Sequence, residues 1–115
     1  MAGETTRIML LPRYSSLVGA TNFETTPHNA RAFSEVSLTM WRGAGTGVSG
    51  LSVAVELSAD LRYWVQDNSW SLAADDETTH TSPLNREWMR LVITLTGTDP
   101  AVPLWILGEF LRRES

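Results

Sequence analysis

Apolar and polar residues alternate with a period of two along much of this chain, the period of a strand with one face in a core. Leu51 to Leu57 is the strictest case, with Leu51, Val53, Val55 and Leu57 on one face. Ser34 to Trp41 sets Val36, Leu38 and Met40 against Ser37, Thr39 and Trp41. Trp88 to Thr96 lines up Met89, Leu91, Ile93 and Leu95. Ile8 to Leu11 is a short apolar run closed by Pro12 and reads as a first strand. Weaker strands are expected at Arg62–Val65 and Trp70–Ala73, and a last one at Leu104–Arg112. No segment carries a helical period.

Turn-forming residues punctuate these runs. Thr21 to Asn29 reads as a surface loop, and Gly43 to Gly50 as a flexible hairpin connection. Gln66-Asp67-Asn68-Ser69 reads as a link, Asp75 to Asn85 as a polar loop, and Gly97-Thr98-Asp99-Pro100 as a strand end. Seven or eight short strands at spacings of about ten residues predict an all-β, antiparallel, jelly-roll-like sandwich. The prediction is one domain over residues 1–115, with Val36, Leu38, Val53, Val55, Leu57, Leu91, Ile93 and Leu95 in its core.

The most specific local feature is Val53-Ala54-Val55-Glu56-Leu57-Ser58-Ala59-Asp60-Leu61-Arg62-Tyr63-Trp64. An alternating strand runs into Ser-x-Asp-x-x-x-Trp, where Ser58 and Asp60 can accept from turn N–H groups and Trp64 is expected to anchor the next strand in the core. This segment resembles the strand–turn–strand of discoidin-like, galactose-binding-type jelly rolls, and it is similar to segments of small β-sandwich structural proteins of phage virions. It spans about a dozen residues, and Leu61 stands where a glycine is common. The resemblance implies a fold; the motif is structural in those families, so no ligand residue carries over.

Composition removes several function classes. With 43% hydrophobic and 19% charged residues the chain has ordinary globular make-up. Cysteine is absent, which excludes disulfides, thiolate metal sites and Cys nucleophiles. All nine basic residues are arginine, so Schiff-base lysines and phosphate-loop lysines are excluded as well. The arginine bias fits a GC-rich genome or, alternatively, bidentate inter-subunit ion pairs. A net charge of −4 argues against nucleic-acid and anionic-membrane partners. No window approaches the roughly 20 apolar residues of a membrane span. The start Met1-Ala2-Gly3-Glu4 lacks a secretory signal, giving an expectation of cytoplasmic synthesis, with incorporation into a virion or shell under the structural reading below.

The remaining candidates for chemistry are thin. A strand, not a helix, is expected after the Gly43–Gly50 segment, so no helix N-terminus waits there for phosphate. His28 and His80 lack metal-site spacing and read as solvated loop residues. Asp75-Asp76-Glu77 offers hard oxygens that a weak calcium site needs, or is simply a solvated acidic loop. No catalytic, cofactor or metal residues are assigned, and the expectation is a non-enzyme that folds without metal. Five tryptophans, Trp41, Trp64, Trp70, Trp88 and Trp105, either stack sugars or fill core and interface.

The last strand carries the most functional information. Leu104, Ile106 and Phe110 share one face while Trp105, Leu107 and Leu111 share the other, so both faces are apolar. A sandwich strand with one wet face would not show this. Either the chain covers the second face itself or a partner does. Trp105, Leu107, Leu111, Arg112 and Arg113 are therefore the candidate interface, apolar at its centre with arginines at the rim. The leading expectation is a structural or assembly subunit, such as a virion, decoration or shell-associated protein, that forms a homo-oligomer or joins a larger assembly. The alternative is a carbohydrate-binding module that uses exposed tryptophans.

Overall fold

Nine antiparallel strands appear in the computed structural model, which describes residues 4–11 and 16–113. They are β1 (Thr5–Leu11), β2 (Ser16–Val18), β3 (Asn22–Glu24), β4 (His28–Asn29), β5 (Phe33–Arg42), β6 (Thr46–Ser58), β7 (Val65–Ser71), β8 (Asp76–Pro83) and β9 (Trp88–Arg112). The central strand β9 runs for 25 residues and serves two sheets. Its first half pairs with β6 and, on the other side, with the short strands β4, β3 and β2. Its second half, from Leu104 onward, pairs with β5 and β1. The edge strand β8 completes the sheet of β1, β9 and β5, the first sheet, and β7 that of β6, β9 and β2–β4, the second.

The inward faces follow the period-two pattern. Val36, Leu38, Val53, Val55, Leu57, Leu91, Ile93 and Leu95 are all buried and belong to one core cluster with Met40, Leu104, Ile106 and Phe110. Helix is absent among the described residues, as the sequence predicts.

Several expected boundaries need correction. Trp88–Thr96 and Leu104–Arg112 are one continuous strand, and Gly97–Pro100 is a bend within it. There Gly97 and Asp99 take positive φ values of 144° and 45°, and β6 carries register shifts opposite. Bulges of this kind re-aim a strand, and this one swings β9 from one sheet to the other. The Gly43–Gly50 connection is shorter than expected, because β6 begins at Thr46. The Thr21–Asn29 loop contains β3 and β4. Arg62–Trp64 is turn, and the segment read as a link, Gln66–Ser69, lies inside β7. The polar stretch Asp75–Asn85 contains the eight-residue β8. Pro12 lies outside the described residues.

The Gln66–Ser69 part of β7 and the whole of β8 look like loops in sequence because they are polar on both faces. They face each other where the two sheets meet at their edges, and they satisfy one another. Asn68 Nδ2 donates to Ser82 Oγ at 2.9 Å, Ser82 Oγ donates to Asp67 Oδ2 at 3.3 Å, and Trp70 stacks on His80 at 4.7 Å and 9°. A buried hydroxyl such as that of Ser82 is tolerated only with partners of this kind.

The Ser58–Trp64 turn forms as its hydrogen-bonding residues predict. Ser58 Oγ accepts from the N–H groups of Asp60 (3.2 Å) and Leu61 (2.9 Å), and Asp60 Oδ1 accepts from those of Arg62 (2.9 Å) and Tyr63 (3.0 Å). Those backbone bonds hold the Asp60 carboxyl below its usual pKa. Leu61 has φ 65°, the left-handed conformation that glycine adopts without cost. A non-glycine residue there costs roughly 1–2 kcal/mol, while glycine loses about 0.5–1 kcal/mol more backbone entropy on folding. Leu61→Gly is therefore expected to leave stability unchanged or raise it by up to about 1 kcal/mol. A melting temperature several degrees below wild type would contradict the turn geometry.

Candidate functional site

The outer face of the first sheet is built from alternate residues of β1, β9, β5 and β8. Register brings Trp105 of β9 beside Trp41 of β5, and Leu107 between Met9 of β1 and Thr39 of β5. Leu111 lies between Thr5 and Glu35, and Glu109 between Arg7 and Ser37. Trp41, Trp105, Leu107 and Leu111 are half-buried, and Met9 is 45% exposed. Toward β8 the face turns polar through the hydroxyl pairs Ser37–Thr81 (3.0 Å) and Thr39–Thr79 (3.2 Å). Arg7 and Glu109 form an exposed ion pair at 3.5 Å. The face is thus an apolar patch around two adjacent indoles, bordered by hydroxyls and charges of both signs.

Of the five residues expected at an interface, Trp105, Leu107 and Leu111 lie together on this face. Arg112 is exposed at the end of β9. Arg113 is engaged by its own chain: Nη2 donates to the Leu84 carbonyl at 2.6 Å and Nε to that of Arg31 at 3.2 Å. Sequence reasoning about β9 alone left Trp41 and Met9 out of the group. Their outward positions are legible from alternation, but their adjacency to Trp105 and Leu107 depends on which strands flank β9.

The tryptophans do not converge on one platform. Trp64 lies on the outer side of the second sheet, 4.2 Å above the Arg90 guanidinium, and is not the core anchor its sequence position predicts. Arg90 is itself held by Glu56 (2.8 Å) and Glu24 (3.4 Å), so the stack belongs to a surface ion network. Trp70 closes the β7–β8 edge, and Trp88 opens β9 opposite Ser58. All five indoles are half-buried, and only Trp41 and Trp105 are neighbours in the sheet register.

The histidines are not solvated loop residues. His28 lies on β4 against Phe110, with ring centroids 6.4 Å apart, and burial lowers its pKa below 6.5. His80 lies on β8 under Trp70. The acidic trio is spread by the strand itself: Asp75 sits in a turn at φ 56°, while Asp76 and Glu77 point to opposite faces of β8. Among the described residues no group of three or more His, Asp or Glu side chains is placed to hold a metal ion.

No protein-family model matches the chain, and no curated protein matches it in sequence. Solved structures do match its fold. The PBSX exported protein XepA aligns with a TM-score of 0.76 at 13% identity over 96% of this chain, which spans 38% of that protein's chain. A chain of the T13 IBDV viral particle aligns with a TM-score of 0.61 at 13% identity over 95% of this chain and 31% of its own. The SPBc2 prophage-derived protein YomS aligns with a TM-score of 0.59 at 10% identity, over 94% of this chain and 93% of its own. The fold is therefore a β-sandwich of the kind found in phage and viral proteins. At these identities the likeness is one of architecture.

Proposed function

We propose that the protein is a non-enzymatic assembly subunit that associates through the outer face of its β1–β9–β5–β8 sheet, in a virion or comparable shell. The observation that carries this reading is the adjacency of Trp41 and Trp105, with Leu107, Leu111 and Met9 around them, on a face whose β8 side is hydroxyl-lined. An aromatic centre, aliphatic surround and polar rim are the make-up of an association surface. Neighbours in fold include chains named for a viral particle and a prophage, which supports a place in an assembly.

The occupant we assign to the face is a second copy of this chain. A twofold axis along the strands sets the β1 side of one copy over the β8 side of the other and keeps each level of the register, so Trp105 of one copy meets Trp41 of the other. Trp105 is the expected centre. Trp105→Ala should cost about 2 kcal/mol of association, roughly a thirtyfold rise in the dissociation constant, while the monomer still folds. Sedimentation velocity of wild type and variant across concentration checks this. A wild type that stays monomeric at every concentration overturns self-association, and an unchanged Trp105→Ala equilibrium removes this face from it.

A further inference from the structure

A second feature lies away from that face, where β5 ends and the β7–β8 turn folds over β6. A cleft of about 580 Å³ opens there, within the size range of small-ligand sites. The side chain that distinguishes it is Arg42, only 8% exposed. Its Nε donates to the Gly43 carbonyl at 3.2 Å, Nη1 to that of Leu72 at 2.8 Å, and Nη2 to that of Ala44 at 3.4 Å. A guanidinium has five N–H donors, so these bonds leave two, the number a bidentate carboxylate takes. Among the described residues no carboxylate oxygen lies within 4.0 Å of it. Buried charges are ordinarily paired, and the hydrogen bonds of this one all go to carbonyl oxygens.

The rest of the lining mixes Gly50, Leu51, Leu72 and Ala73 with hydroxyl-bearing side chains. Ser49 and Ser52 come from β6, Ser71 from the end of β7, Thr94 and Thr96 from β9, and Asp76 from the start of β8. Asp76 faces Arg42 across the β5–β8 ladder and adds an acceptor for hydroxyl groups. Among the described residues no aromatic side chain lines the cleft. The frame is fixed: the Leu72 N–H donates to the Leu51 carbonyl at 2.9 Å, and Thr96 Oγ1 to that of Gly50 at 3.3 Å.

We infer that this cleft binds a carboxylated, polyhydroxylated ligand, a uronate residue of an acidic glycan, with its carboxylate on the Arg42 guanidinium and its hydroxyls on Asp76 and the Ser/Thr rim. The charge of Arg42 selects the acid, and the hydroxyl lining selects a ligand with many donors and acceptors over a bare anion. This inference is independent of the assembly reading. It also differs from sugar stacking on tryptophan, since no indole takes part.

Amide-resolved NMR titration of the full chain with galacturonate, galactose and acetate tests it. Galacturonate should shift the amides of Arg42, Ser52, Ser71 and Thr94 saturably, with galactose and acetate each at least tenfold weaker. Because Arg42→Met removes the bonds that hold two loops, Thr94→Val and Ser52→Ala on the cleft wall are the decisive variants, each expected to weaken galacturonate several-fold with an unchanged fold. A flat titration, equal response to galactose or acetate, or unaltered affinity in both wall variants overturns the inference. So does a shift of the same amides on simple concentration of the protein, which would seat a neighbouring subunit's carboxylate on Arg42.

Discussion

Gly97→Ala should be among the most damaging single-methyl changes in the molecule, costing about 3–5 kcal/mol, or on the order of 15–20 °C in melting temperature. Gly97 has φ 144°, and a Cβ there would stand 2.0 Å from the Gly47 carbonyl oxygen and 2.9 Å from the Ser49 nitrogen. Both obstacles are backbone, so no rotamer change relieves them. The site is also where β9 leaves one sheet for the other, and the β6–β9 ladder already carries two register shifts there. The control is Gly50→Ala on the same pair of strands. Its added methyl meets only Thr96 Oγ1 at 3.2 Å, the movable end of a side chain, and the cost should stay below about 1 kcal/mol. Thermal melts of the two variants side by side check this. Equal, small shifts would mean that the crossing of β9 is not held by Gly97.

Gly97 stands out in the sequence as a break in the alternation, but it bends β9 where a strand end is expected. Gly-Thr-Asp-Pro is an ordinary strand terminator, and nothing local distinguishes an end from a bend. Continuation depends on partners far along the chain: β6 before the bend, β5 and β1 after it. The same limit explains β8. Asp-Glu-Thr-Thr-His-Thr-Ser-Pro carries no apolar stripe, because an edge strand can meet its opposite edge with polar groups. What was legible were the segments with one face in the core, β5, β6 and the first half of β9, where burial imposes the alternation directly.

The candidate interface divides along the same line. Trp105, Leu107 and Leu111 were visible as an excess of apolar residues on a second face of one strand. Trp41 and Met9 were not, since only the sheet order β1–β9–β5 makes them neighbours. Arg113 illustrates the opposite error, in which a charge placed by sequence at a rim is consumed by backbone carbonyls of its own chain. Arg42 gave no signal at all. It continues the alternation of β5 on the inward side, at a position where a core residue is expected, and only the carbonyls of Gly43, Ala44 and Leu72 make its burial tolerable.

Phe110→Ala is expected to cost about 3–5 kcal/mol and to change the pH dependence of stability at the same time. Phe110 is the largest fully buried side chain among the described residues, packed 5.3 Å from the Phe33 ring at 52° and 6.4 Å from the His28 ring. Removing it leaves a cavity between β9, β5 and β4 that the flanking strands cannot close without breaking their ladders. Burial also holds the His28 pKa below 6.5, so in wild type the unfolded state binds the proton more readily than the folded state does. The stability contributed by neutral His28 is then fully present above pH 6.5 and declines as pH falls from there through the folded-state value. With Phe110 gone, water reaches the imidazole, its pKa returns toward 6.5, and this acid-side decline shrinks. Urea melts of wild type and Phe110→Ala at several pH values between about 4 and 8, with the His28 ring followed by NMR, check both parts. A large loss of stability with an unchanged His28 titration would mean that groups other than Phe110 bury the imidazole. A loss under about 1 kcal/mol would mean that Phe110 is not the centre of the core where the two halves of the sandwich meet.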